Sequence, residues 1–446
     1  MKLQKLIKNR RCKTLMLIGL SCHCSAVTYQ VDTTLDQTDV LLGDGLCKTI
    51  NDQCSLRAAI QESNQTVNTD VILVPGGDYL LGIPGIDEDQ AATGDLDLLQ
   101  PVVIIGDSAE LTTIYGQQLD RVFEVFPQIS GDDTQLSDLT VTGGQYSEFN
   151  QAAGSALLIR GHDVNLNRVN LIGNQTLGSG AAAVHISDSC LRGTQVRITN
   201  NTGEQSSGTV FIEGNGSCLE LDEFEISHNE TDSNAAIFFH TSAVATLKNG
   251  LIAHNKSRTS TIVLNSDNQV TFDNVTISSN QGNSAILNDG FSQLFFIHST
   301  ITKNTGSNGG QPVVGGIQDV HGGTGMVFLT NSIVAGNGPG FLADDISRAN
   351  SLNGGNLIGD AVGYAAEPSD HLNVVLNLGN LQNLGGFTQA HEPDIQWVDL
   401  ANDSFCNPYD QRGYIRPRDG NSDGLYQCDA GSIELTPDLI FIDGFE

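Results

Sequence analysis

Ile198-Thr199-Asn200-Asn201, Ile226-Ser227-His228-Asn229, Ile252-Ala253-His254-Asn255 and Ile277-Ser278-Ser279-Asn280 are four copies of one phrase. In each, an aliphatic residue is followed three positions later by asparagine. The phrase extends to Leu171/Asn174 on one side and to Ile301/Asn304 and Val334/Asn337 on the other. Successive asparagines are 27, 28, 26, 25, 24 and 33 residues apart. A period near 26 marks a solenoid, in which each repeat buries its apolar face only against its neighbours. Short alternating segments around the phrase, such as Val275-Thr276-Ile277 and Ala236-Ile237-Phe238, read as strands. Gly, Asn, Asp and Ser separate them, as turns require. Helical periodicity is absent, and so is the regular LxxLxL frame of leucine-rich repeats. The expected fold is therefore all-β, a right-handed parallel β-helix with about 24–28 residues per coil.

Equivalent residues of successive coils in such a fold lie about 4.8 Å apart. The aliphatic positions then form one interior stack, and the asparagines an amide ladder in which each side chain both donates and accepts. Sequon-like triplets such as Asn174-Gln175-Thr176 invite a glycosylation reading. The structural period of these asparagines favours the ladder instead. Upstream, residues 70–74, 102–105, 122–125 and 139–141 read as strands, and Val141 and Gly144 hold the two phrase positions of an earlier coil. Residues 70–375 are assigned to the β-helix, with room for roughly eleven coils.

The 446 residues carry 21 Lys and Arg against 52 Asp and Glu, a net charge of −31. That balance argues against nucleic acid and against an anionic membrane surface, both of which demand cations from the protein. Residues 1–26 read as a secretory signal: six cations from Lys2 to Lys13, a short apolar stretch at 14–20, and Cys24-Ser25-Ala26 for cleavage. A lipoprotein reading on Cys22 lacks the usual aliphatic residues before the cysteine. No apolar run is long enough for a transmembrane helix, so an integral membrane protein is not expected.

Three of nine cysteines fall in the signal, leaving six for an oxidising compartment. Six allow 15 connectivities. Spacing favours Cys47–Cys54, Cys190–Cys218 (about one repeat apart) and Cys406–Cys428. A metal reading of these cysteines lacks any CxxC. An open β end invites association. The one good helix candidate begins at Cys54-Ser55-Leu56-Arg57-Ala58-Ala59-Ile60 and is expected to cap the N-terminal end of the core, with Leu56, Ala59, Ile60 and Ser63 on one face.

That segment resembles the CSLREA domain of bacterial surface β-helix proteins, with Ala58 in place of the usual Glu. Pro75-Gly76-Gly77-Asp78-Tyr79 and Thr93-Gly94-Asp95-Leu96-Asp97 match what such proteins carry before the first full coil. The repeats resemble those of polymorphic outer-membrane proteins. Residues 376–434 resemble the choice-of-anchor Q domain through Asp410-Gln411-Arg412-Gly413, Arg416-Pro417 and Cys428-Asp429-Ala430-Gly431 with Glu434. The resemblance implies residues 27–69 as an N-terminal cap, 376–434 as an anchor-type region and 435–446 as a short tail of secreted Gram-negative proteins. It implies export and an outer-membrane or surface association, and it supplies no catalytic site.

Polysaccharide-active β-helices need paired carboxylates, or Ca²⁺ with a basic residue, in a groove. Asp344-Asp345 and Asp132-Asp133 are the only DD pairs. Adjacent strand residues point to opposite faces, so Asp344 and Asp345 are weak catalytic candidates beside the reading of a solvated turn. His228 and His254 hold the same position in neighbouring coils and could pair as a metal or pH-sensitive site. The variety in their column favours an exposed turn. Asp419, Asn421 and Asp423, with Gly424 at the sixth position and Asp429 further on, resemble the start of a Ca²⁺ loop. The bland alternative is a polar turn. The reading that follows is an exported, non-catalytic surface or secreted protein that binds an extracellular glycan or protein partner along the rod. The alternative is a polysaccharide lyase or glycoside hydrolase, whose groove should lie near the long repeat step at residues 311–325.

Overall fold

The structure is a computed structural model and describes residues 26–126, 132–147, 154–306, 314–320, 327–338 and 345–436. The expected signal, Asp344, most of 311–325 and most of the tail lie outside them. One coil shows the plan. Cys190–Thr199 forms a strand of the first sheet, Thr202–Gly203 one of the third, and Gly208–Glu213 one of the second. The chain then re-enters the first sheet at Ser217–Ser227, directly above its start. Among the described residues the three sheets hold 19, 9 and 7 strands, and every pairing within them is parallel. The result is a parallel β-solenoid of about nine turns. The sequence estimate of eleven is too high because the last coils, from Ala349–Gly354 to His371–Leu372, contribute strands to the first sheet alone.

Register confirms the interior stack. Leu171, Ile198, Ile226, Ile252, Ile277, Ile301 and Val334 are successive Cα partners, all fully buried. The residue just before each ladder asparagine has positive φ: Asn200, His228, His254, Ser279 and Lys303 lie between +55° and +58°, and Gly173 and Gly336 hold the same place. A second left-handed column, Arg168, Gln195, Glu223, Asn249, Asn274, His298 and Asn331, bends the first sheet into two limbs. Left-handed backbone is tolerated best by Gly and Asn. Repeating it at one place in every coil lets stacked strands turn together without losing register.

The asparagine ladder is continuous. Asn201 N and Nδ2 both donate to Asn229 Oδ1 at 3.0 Å, and Asn201 Nδ2 also reaches Leu171 O at 3.0 Å. The same pattern runs from Asn174 to Asn337, starting from Gly144 N, which donates to Asn174 Oδ1. It ends on Asp345, whose Oδ1 accepts from Asn337 N and Nδ2, both at 2.8 Å. An ionised carboxylate has acceptors only, which suits a terminus with no further amide to serve. A second ladder ends the same way. Ser299 N donates to Ser332, Ser332 N to Asn356 Oδ1, and Asn356 N and Nδ2 to Asp370 Oδ1.

At the N-terminal end, α1 (Leu56–Ser63) lies over the core with all its residues buried. Ser55 caps it by accepting from Ala58 N. Leu56, Ala59 and Ile60 pack with Tyr29, Ile72 and Val74. Arg57 faces the other way and is pinned by Asp36 and by Ala91 O, Gly94 O and Asp95 O. Three disulfides join Cys47–Cys54, Cys190–Cys218 and Cys406–Cys428. Cys190 and Cys218 are register partners on adjacent coils.

Residues 376–434 fold back along the first sheet. Thr276 Oγ1 donates to Gln411 Oε1 at 2.6 Å, Ser278 meets His391 Nε2 at 2.7 Å, and Lys303 Nζ donates to Leu378 O and Gly379 O. Arg197 stacks on Phe387 at 4.0 Å. The residues quoted for the anchor-type resemblance hold this region together. Asp410 accepts from Arg412 N, Tyr414 N and Glu434 N, while Arg416 is buried against His298, Asp429 O and Gly431 O.

Candidate functional site

Gln293–Ile297 and Val327–Thr330 are neighbouring strands of the first sheet. Alternation sends Leu294, Phe296, Val327 and Leu329 inward, where all are fully buried. Phe295 and Phe328 therefore face outward, and their rings stack at 5.2 Å with an interplanar angle of 15°. Leu352 and Asn353 follow on the next coil, and Phe405, Cys406 and Asn407 approach from the folded-back C-terminal region. Together with Thr330 these residues line a cavity of about 310 Å³. That is the lower range of small-ligand sites.

Leu352 and Phe405 are about half exposed, an arrangement that leaves apolar surface open to a ligand. The polar lining is neutral: Thr330, Asn353 and Asn407. Asn407 Nδ2 is held by Asp273 Oδ1 and Asn353 Nδ2 by Thr330 Oγ1, so the amides are oriented from behind. Burial raises the Asp273 carboxyl above its ordinary range, opposed by Asn407. Stacked rings, a rim of amides and, among the described residues, no carboxylate or imidazole in the lining suit binding of a face-apolar, hydroxyl-rich ligand. They do not furnish an acid–base pair. The signal was present in the sequence: in Leu294-Phe295-Phe296-Ile297 one of two adjacent phenylalanines must face out of the core.

The expected candidates are placed elsewhere. Asp345 is buried as the end of the ladder, not in a solvated turn, and its Oδ2 accepts from Asp360 N at 2.9 Å. Asp132 and Asp133 bond Thr69 and Asn165. The proposed calcium residues are divided. Asp419, Asn421 and Asp423 accept backbone amides of one exposed turn, at 2.9–3.0 Å for Asp423 N and Gly424 N. Asp429 is buried and accepts from Asp399 N and Leu435 N. Burial, reinforced by Glu434, pushes its carboxyl up to about 8. The rings of His228 and His254 lie 4.9 Å apart, tilted by 33°, and burial, with His228 beside it, lowers the proton affinity of His254.

A second charged cluster escaped sequence reading. Asp95 and Asp97 open the second sheet, and Glu124 is the register partner of Asp97 on the next coil. Arg121 pairs with Glu124, with Asp87 at 2.6 Å and with Asp95 at 3.5 Å; Arg160 pairs with Glu124 from the rim. Burial, then the charge of Asp97, drives Asp95 up to about 9; burial drives Asp97 up to about 7. Among the described residues, Asp89, Asp97 and Glu124 form one of two groups of three whose ligand atoms all lie within 4.8 Å of one another. The other, His298 with Cys406 and Cys428, has its sulfurs tied in a disulfide.

No family model matches the chain, and no curated protein matches its sequence. Among solved structures it is similar to pectate lyase Pel9A, at 12% identity over 93% of this chain and 98% of that one, with a TM-score of 0.39. It is also similar to the catalytic domain of a GH87 alpha-1,3-glucanase in complex with nigerose, at 10% identity over 72% of this chain and 66% of that one, TM-score 0.25. A third is the A-module of the Azotobacter vinelandii mannuronan C-5 epimerase AlgE6, at 12% identity over 72% and 92%, TM-score 0.25. No residue correspondence is carried over from these likenesses.

Proposed function

We propose that this is an exported, non-catalytic β-helix protein that binds an extracellular glycan, or a glycan-bearing partner, at the cavity on its flank. The observation that carries the reading is the stacked Phe295–Phe328 platform beside the neutral side chains of Thr330, Asn353 and Asn407. Sugar C–H faces stack on aromatic rings, and amides pair with hydroxyls without moving protons. Three disulfides fit an oxidising compartment. Adhesion to a surface, through a region of anchor-type resemblance at 376–434, belongs to the same reading.

The test is binding of the purified chain to a panel of neutral and acidic oligosaccharides, with Phe328→Ala alongside. Binding by the wild type, weakened at least about tenfold in the variant, supports the reading. Unsaturated or new reducing-end products, or binding indifferent to Phe328, would overturn it. The enzyme alternative has one observation in its favour, the convergence of Asp95, Asp97 and Glu124 with Arg121. All four are buried, whereas a polysaccharide needs an open cleft.

A further inference from the structure

Thr93-Gly94-Asp95-Leu96-Asp97 leads the chain into the second sheet from a loop rich in acid: Asp87, Glu88 and Asp89. Strand alternation places Asp95 and Asp97 on one face, and register sets Glu124 beside Asp97. With Asp120, seven carboxylates face two guanidiniums, Arg121 and Arg160. Glu88 and Asp120 are committed: Glu88 accepts from Ala92 N and Thr93 N, and Asp120 from Asp87 N and Arg121 N.

Acidic clusters are common, and charge alone names no ligand. The buried oxygens do more. Asp97 is fully buried; its Oδ2 accepts from Ala91 N at 2.6 Å, but among the described residues Oδ1 has no hydrogen-bond donor. Asp95 is also fully buried, and among the described residues neither of its oxygens has a hydrogen-bond donor, though Arg121 stands 3.5 Å away as an ion-pair partner. Carboxylate oxygens withdrawn from water without a donor are expensive, and proteins satisfy them with a partner. Asp97 is a member of a trio, with Asp89 and Glu124, whose ligand atoms are all within 4.8 Å of one another.

We propose that Asp89, Asp97 and Glu124 form a site for a hard divalent cation of the Ca²⁺ type. All the donors are carboxylate oxygens, which select hard ions over zinc or copper. Asp89 is exposed and sits in a loop, giving the ion a path in. A loop-borne ligand suits the tolerant coordination of Ca²⁺ better than the strict octahedron of Mg²⁺. The ion would tie the loop before the first strand of the second sheet to the next coil. It would thereby stiffen the carbonyls of Ala91, Gly94 and Asp95 that hold Arg57 of α1. This site is distinct from the cavity on the flank and from the turn at Asp419–Asp423.

The test is isothermal titration of the full chain, stripped with EDTA, with CaCl₂ and separately with MgCl₂, together with thermal unfolding in both states. The expected result is one Ca²⁺ site and a rise in Tm on loading. Asp89→Asn, at an exposed position that leaves the core intact, should weaken binding at least about tenfold and abolish the rise. Asp97→Asn should abolish both, and Asp423→Asn should change neither. Absence of heat and of a Tm shift in the wild type at about 10 mM Ca²⁺ would overturn the proposal. So would full binding by Asp89→Asn, or loss of binding in Asp423→Asn.

Discussion

Replacing Asn229 by alanine should be among the most damaging single changes in the chain. The side chain makes four hydrogen bonds: Nδ2 donates to Ile198 O at 2.8 Å and to Asn255 Oδ1 at 3.0 Å, and Oδ1 accepts from Asn201 N and Nδ2 at 3.0 Å. Two partners keep other bonds: Asn201 Nδ2 still reaches Leu171 O, and Asn255 Oδ1 still accepts from Asn229 N. The Asn201 backbone N–H loses its acceptor in a fully buried position. At about 1 kcal/mol net per bond, with roughly 1–3 kcal/mol for the stranded donor, the loss should be about 4–6 kcal/mol. Urea unfolding followed by circular dichroism measures it, and hydrogen exchange locates it, since the slow amides of the coils through Asn201 and Asn255 should become fast. Asn215→Ala, at an exposed turn, is the control and should stay within about 0.5 kcal/mol of wild type. A loss below about 1 kcal/mol for Asn229→Ala would refute the claim that the ladder is a main support of the rod.

Three further outcomes are expected. Burial holds the proton affinity of His391 down to about 4, with Lys303 and His254 adding to the effect. The unfolded chain takes up that proton near pH 6.5, so stability present above pH 6.5 should fall by about 3 kcal/mol on acidification to pH 4. His391→Gln should flatten that part of the pH–stability curve; an unchanged slope would count against the assignment. Cys190–Cys218 closes a 28-residue span, so converting both to alanine should cost roughly 3–4 kcal/mol in the same unfolding assay, with little change in the native circular dichroism spectrum. Arg57→Met removes the charge partner of Asp36 and a donor to the carbonyls of Ala91, Gly94 and Asp95 at the N-terminal cap and should lower stability by about 3–5 kcal/mol; a variant as stable as wild type would remove Arg57 from its role as a pin.

The repeat phrase was legible because a solenoid writes its structure locally. Each coil must present an aliphatic residue inward and an amide three positions later, so the period, the interior stack from Leu171 to Val334 and the ladder follow from one-dimensional spacing. Cys190 and Cys218 were legible for the same reason, being one period apart. Asp345 was misread as a turn residue because it takes the ladder position only eight residues after Asn337, out of period with every other step.

What the chain by itself determined, then, is the rod: its repeat, its core and its inter-coil cross-link, all set by contacts between residues about one coil apart. Tertiary structure alone decided where the C-terminal region lies, that Phe405 and Asn407 close a cavity over Phe295 and Phe328, and that the loop carrying Asp89 folds onto Asp97 and Glu124. Those contacts join segments without a common period, over separations such as the 107 residues between His298 and Phe405. Spacing carries no information about them; only the packing of one segment's side chains against another's can bring them together.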